Sequence, residues 1–160
     1  MQGNGTDWGT SIKRGLVSGT TASVASTAAL AALGKRDSGS AVAPVNAVSH
    51  WFFGDKAARQ ERPTKKYTLT GYAIHHASAV FWAVLFERVF GKLLDSRQAR
   101  SVLPAAAATT AVACFTDYKL TPERFQPGFE KRLTTPSVAA VYVAFGLGLA
   151  AAALLLRHDD

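Results

Sequence analysis

The residues of this chain best suited to bind metal or move protons are its four histidines and its single cysteine. His75 and His76 are adjacent, His50 lies within PVNAVSHWFFGD (Pro44 to Asp55), His158 is in the tail, and Cys114 stands alone. Imidazole beside a carboxylate can ligate a transition metal or relay a proton. The carboxylates placed for that are Asp117 and Glu87, each near the end of an apolar run. No HxxxH, HExxH or CxxC spacing occurs, and adjacent histidines cannot both face one ion on a regular helix. The candidate metal ligands are therefore His50, His76 and Asp117. A haem would have to draw on His50, His75 or His76. No cofactor is expected. Nucleophilic catalysis is also unsupported, because no GxSxG elbow or phosphate loop is present. Gly146-Leu147-Gly148 lies inside an apolar run and reads as a packing feature. The enzyme class is not favoured, and one cysteine excludes an intramolecular disulfide.

These residues need elements to position them. The chain has 160 residues, enough for one domain, of which 48% are hydrophobic. Charges are unevenly spread. Four stretches are almost free of them, at about 15–33, 69–90, 102–120 and 136–156. About 20 apolar residues cross a bilayer core. The expected fold is an all-α membrane protein, a bundle of four transmembrane helices forming a single domain. A soluble bundle would need polar stripes along its helices, and here the polar residues gather between the runs. A secretory signal over 13–33 is the competing reading of the first run, and its long polar leader and weak Leu content argue against it. Thr135 and Pro136 read as cap and first position of the last helix.

Four spans put both termini on one side and the loops around 34–68 and 121–134 on the other. Seven Lys and Arg residues flank the terminal side and eleven the loop side. Short basic loops face the cytoplasm, which favours loops one and three inside. The net charge of +7 suits anionic lipid head groups. Nucleic acid is not an expected partner, since no basic helix with interleaved aromatics appears. Helices in lipid associate through close backbone approach. Gly15, Gly19 and Ser23 recur every four residues in the first run, and Gly146 and Gly148 lie in the fourth. They predict tight packing within the bundle, self-association or assembly into a membrane complex.

Topology brings Asn46, Ser49, His50, His75, His76 and Asp117 to the loop end, and Glu87 to the opposite end. On a helical wheel His76 shares a face with Tyr72 and Glu87. Pro44 and Gly54 frame a helix over about 44–53, too short to span, with Asn46, Ser49 and His50 on one face. It reads as an interfacial or re-entrant helix whose polar face bonds inward to helices two and three. The run TDYKLTPERFQPGFEKRL reads as a turn-rich connector folded back on the helix ends.

LTGYAIHHASAVFWAVLFE and VAAVYVAFGLGLA carry a resemblance to the small four-span bacterial inner-membrane proteins of the YagU-like group. The likeness lies in four spans, a Gly/Ala-rich first helix and a glycine-plus-histidine opening of the second. It implies a multi-pass protein of a bacterial inner membrane, and no mechanism. The expected role is structural or accessory. A small transporter or channel using the His/Asp site is the alternative, and a metal- or haem-binding membrane protein the third reading.

Overall fold

The computed structural model describes residues 6–157, and every regular element among them is a helix. Helix α1 (Trp8–Ser38) begins at Asp7, whose extended backbone lets its carboxylate accept from the Thr10 amide at 3.1 Å. That backbone hydrogen bond holds the Asp7 carboxyl below its usual value. The helix stops at Gly39, which takes φ 77°, the left-handed conformation that ends many helices. The charge-free 15–33 segment is thus only the middle of a 31-residue helix that also includes Lys13, Arg14, Lys35 and Arg36.

Loop one folds into three short helices, α2 (Ala43–Val48), α3 (His50–Phe53) and α4 (Asp55–Ala58). The single helix expected over 44–53 is broken at Ser49, whose hydroxyl donates to the Asn46 carbonyl at 2.7 Å. A π turn over Lys65–Leu69 leads into α5 (Thr70–Leu94). Helix α6 (Ala99–Phe115) continues through a π turn over Thr116–Leu120. It starts three residues before the expected run, which leaves Pro104 inside the helix. Two single 3-10 turns, Glu123–Phe125 and Phe129–Lys131, precede α7 (Thr135–Ala151), which runs on through Ala152–Leu156. The cap of α7 is Thr134, not Thr135. Asp37 at the end of α1 accepts from the Thr134 amide at 3.0 Å and from the Ser137 hydroxyl.

The four long helices form a ring. α1 packs on α5 and α7, and α6 closes the ring against the same two neighbours. Contacts along α1 show that the neighbours run antiparallel. Arg14 pairs with Asp95 near one end, Ser26 with His75 further along, and Arg36 with Ser137 at the other. The small-residue faces make this approach close. A Cβ on Gly19 would lie 2.6 Å from the Val80 Cα of α5, and one on Gly148 would lie 2.5 Å from the Ala22 Cα of α1. Gly15 meets the Val84 backbone in the same way, and Gly146 meets the Thr110 side chain. All these contacts lie within one chain.

Burial on α1 is inverted relative to a water-soluble helix. Its buried face is small or polar at Ser11, Gly15, Ser18, Gly19, Ala22, Ser23, Ser26 and Gly34, with Leu30 the one large apolar member, while Ile12, Leu16, Val17 and Val24 are exposed. Phe81 and Val89 on α5, Leu103 and Val112 on α6, and Val143 and Leu147 on α7 continue the apolar exterior. Among the described residues two helices, Trp8–Ser38 and Thr135–Leu156, are long and apolar enough to cross a membrane.

Candidate functional site

At the loop end α5 and α6 separate around a cavity of about 700 Å³. Ala73, Ala77, Ser78, Phe81 and Trp82 line it from α5, and Ala113, Thr116 and Asp117 from α6 and its extension. Val48, Trp51 and Phe52 close it from loop one, and Phe125, Pro127 and Phe129 from the connector. Its polar groups are few. Ser26 Oγ and His75 Nε2 are 2.8 Å apart in a hydrogen bond. The Tyr142 hydroxyl donates to Asp117 Oδ2 at 2.6 Å. Tyr142 also meets Tyr118, whose hydroxyl donates to Glu130 at 3.3 Å. Two carboxylates are thus joined through two phenols. The cavity is apolar and aromatic with isolated hydrogen-bonding groups, the usual character of a small-molecule site.

The polar cluster expected at this end divides into separate pieces. His75, not His76, reaches the cavity, because it lies on the core face of α5 with Ala79, Trp82 and Phe86. His76 stacks on Tyr72 at 5.8 Å, and its Nδ1 is buried without a partner. Asn46 is fully buried and ties loop one to itself. Its amide donates to the Gln60 carbonyl at 3.0 Å and the Arg62 carbonyl at 3.1 Å, and its oxygen accepts from Thr68 at 2.6 Å. None of these bonds reaches α6, contrary to the expected inward polar face. His50 donates from Nδ1 to the Ala47 carbonyl at 2.9 Å, and its Nε2 is buried without a partner. Gly128 makes room for that ring. It adopts φ 90°, and a Cβ there would lie 2.5 Å from His50 Nδ1. The connector is bound to loop one through Trp51 Nε1, which donates to the Gln126 carbonyl at 2.9 Å, and through ion pairs Lys131–Asp55 and Arg132–Glu61.

His50, His76 and Asp117 therefore do not form a ligand set. Among the described residues no group of three His, Cys, Asp or Glu side chains could hold a metal ion. His158 lies outside the described residues. Asn46→Ala is expected to cost about 1–3 kcal/mol, because it leaves two loop carbonyls and a threonine hydroxyl without their partner. Thermal unfolding checks this. Asn46→Asp, which keeps the acceptor but loses both donors, should fall as low.

At the opposite end Glu87 is held in an ion pair that the sequence reading missed. Arg157 Nη1 lies 2.6 Å from Glu87 Oε2, and both side chains are almost fully buried. Arg157 also donates to the Gly91 carbonyl at 2.7 Å and to Asp95 at 2.8 Å. Ser18 donates to the other Glu87 oxygen at 3.3 Å. A second cavity of about 170 Å³ adjoins the pair, lined in part by Lys13, Arg14 and Val17. The available signal was an isolated acid and an isolated base, each closing an apolar run, at ends that antiparallel helices bring together. No protein-family model, curated protein or solved structure matches the chain, so the chemistry of both ends rests on these side chains alone.

Proposed function

We propose that this chain is a four-span integral membrane protein with a structural or accessory role. The observation that carries the proposal is the inverted burial of the bundle. Ser11, Ser18, Ser23 and Ser26 are buried while Leu16, Val24, Phe81, Val112, Val143 and Leu147 are exposed. In water that arrangement leaves apolar area solvated around the whole circumference, at roughly 25 cal/mol for each Å². In lipid the apolar exterior costs nothing, and small residues inside allow the backbones to approach. Helix α6 is 17 residues long by itself and gains five from its π turn. At about 1.5 Å per residue the combined segment reaches a bilayer thickness. Helix α5 crosses with Glu87 neutralised by Arg157. Lys13, Arg88, Lys92 and Arg100 gather at the terminal end, where they suit anionic head groups.

A transporter or channel has less support. The two cavities share no lining residue, and Ala22, Ala83, Phe86 and Leu149 are buried in one core between them. The expected topology is tested by single cysteines in a Cys114→Ser background. Gln60→Cys at the loop end and Ser96→Cys at the terminal end should react with a membrane-impermeant maleimide from opposite sides of sealed vesicles. Labelling of both from one side, or release of the protein from the membrane by alkaline carbonate, would overturn the four-span reading.

A further inference from the structure

The cavity at the loop end has a feature that a structural role does not use. Its lining contains a carboxylate, Asp117, and no Lys or Arg. Asp117 is half-buried and holds one hydrogen bond, from Tyr142. Neither Asp117 nor nearby Glu130 forms an ion pair among the described residues. The walls are aromatic, with Trp51, Phe81, Trp82 and Phe125 among them. The rim is open, since Ala73, Ala77 and Phe81 are exposed on the α5 side.

We propose that this cavity binds a hydrophobic organic cation, with Asp117 as its counter-charge and the surrounding rings as its walls. Charge complementarity selects the occupant. A carboxylate set in an apolar wall without a cation is an unfavourable arrangement, which a ligand cation relieves. Aromatic faces attract the same ligand, because their quadrupoles present negative charge to it. An anionic amphiphile meets the opposite sign at Asp117. A neutral hydrocarbon fills the volume but leaves the carboxylate unpaired. The volume of about 700 Å³ accommodates several rings or a branched aliphatic body around one charged centre. Entry is lateral, between α5 and α6, so the ligand arrives along the apolar exterior of the bundle and needs no path through its core.

The test uses the full chain in dodecyl maltoside, in a Trp8→Phe background that leaves Trp51 and Trp82, both in the cavity wall, as reporters. Tetraphenylphosphonium is titrated and tryptophan quenching recorded, with uncharged triphenylphosphine oxide as the matched probe. The expected result is saturable quenching by the cation, weakened roughly tenfold or more in Asp117→Asn, the scale of a lost charge pair near a protein surface. The oxide should bind more weakly and be indifferent to the substitution. Ala77→Phe, at the exposed rim, adds bulk without a new reporter, should block the cation with Asp117 intact, and keeps the test decisive if Asp117→Asn does not fold. The proposal is overturned by equal affinity in the Asp117→Asn variant, by equal affinity for the oxide, by undiminished binding to Ala77→Phe, or by no saturable binding to monodisperse protein. None of these outcomes bears on the vesicle-labelling test, so the two readings fail separately.

Discussion

Arg157→Ala is expected to lower the stability of the bundle by about 3–5 kcal/mol, because it strands Glu87 as an unpaired buried charge. For a chain of this size that corresponds to a fall of about 10 °C or more in Tm. Glu87 is 2% exposed and cannot turn to solvent, while its remaining partner, Ser18 at 3.3 Å, is a weak substitute for a guanidinium. Asp95 shares the same arginine but is half-exposed. Asp95→Asn should therefore cost about 1 kcal/mol or less, as exposed pairs do. The double variant Glu87→Leu, Arg157→Leu removes both charges and should recover much of the loss, since apolar replacement of a buried pair is often neutral. Thermal unfolding of the three proteins in one detergent decides it. If Arg157→Ala falls no further than Asp95→Asn, the pair is not what closes this end.

The contrast between the two ends shows what could be read from the residues in order. That Glu87 marks one end of the bundle, opposite the histidines, follows from its place in an apolar run. That Arg157 meets it, 70 residues away, depends on how α5 and α7 rotate about their axes. Periodicity cannot supply that rotation. The same limit explains the histidines. A wheel for α5 puts Tyr72 and His76 on one side of the helix, where their rings stack. It cannot say which flank faces α1 at Ser26, and that flank belongs to His75. The all-helical fold was legible because charge-free runs are long and separated by Pro, Gly and charged clusters. Helix ends were less so, because hydropathy reports where charge stops and hydrogen bonding reports where the helix stops. Lys13, Arg14, Lys35 and Arg36 flank the apolar run of α1 yet belong to the helix.

Loop one was the least legible. Asn46, Ser49 and His50 looked like a polar face waiting for other helices. Asn46 instead satisfies the carbonyls of a chain that folds back on itself 14 and 16 residues later, and Thr68 beside α5. A local sequence carries no sign of bonds made by a distant backbone. What the loop builds is a floor. Val48, Trp51 and Phe52 close the cavity from this side, so the polar residues act on the site by holding apolar ones in place.

That floor should fail first when its seat on α5 is altered, which makes Gly71→Ala the sharpest test of the loop. A Cβ at Gly71 would lie 2.0 Å from the Val45 carbonyl oxygen. The obstruction is backbone, and α2 (Ala43–Val48) is buried against its neighbours at every residue, so no side-chain adjustment relieves it. Either α2 lifts from α5 or α5 bends. The expected cost is about 3 kcal/mol or more, the upper range for overpacking. Gly146→Ala provides the comparison. Its Cβ would lie 2.6 Å from Thr110 Oγ1, a side chain that can change rotamer, and the cost should stay near 1 kcal/mol. Hydrogen exchange separates local from global loss. In Gly71→Ala the amides of 43–69 should exchange faster while those around Glu87 and Gly91 keep their protection. The cavity then loses its floor with its counter-charge still in place, so quenching of Trp82 by tetraphenylphosphonium should weaken as well. Full protection of α2 in a Gly71→Ala protein of unchanged Tm would mean that loop one does not rest on α5, and the cavity would have to be closed by the connector alone.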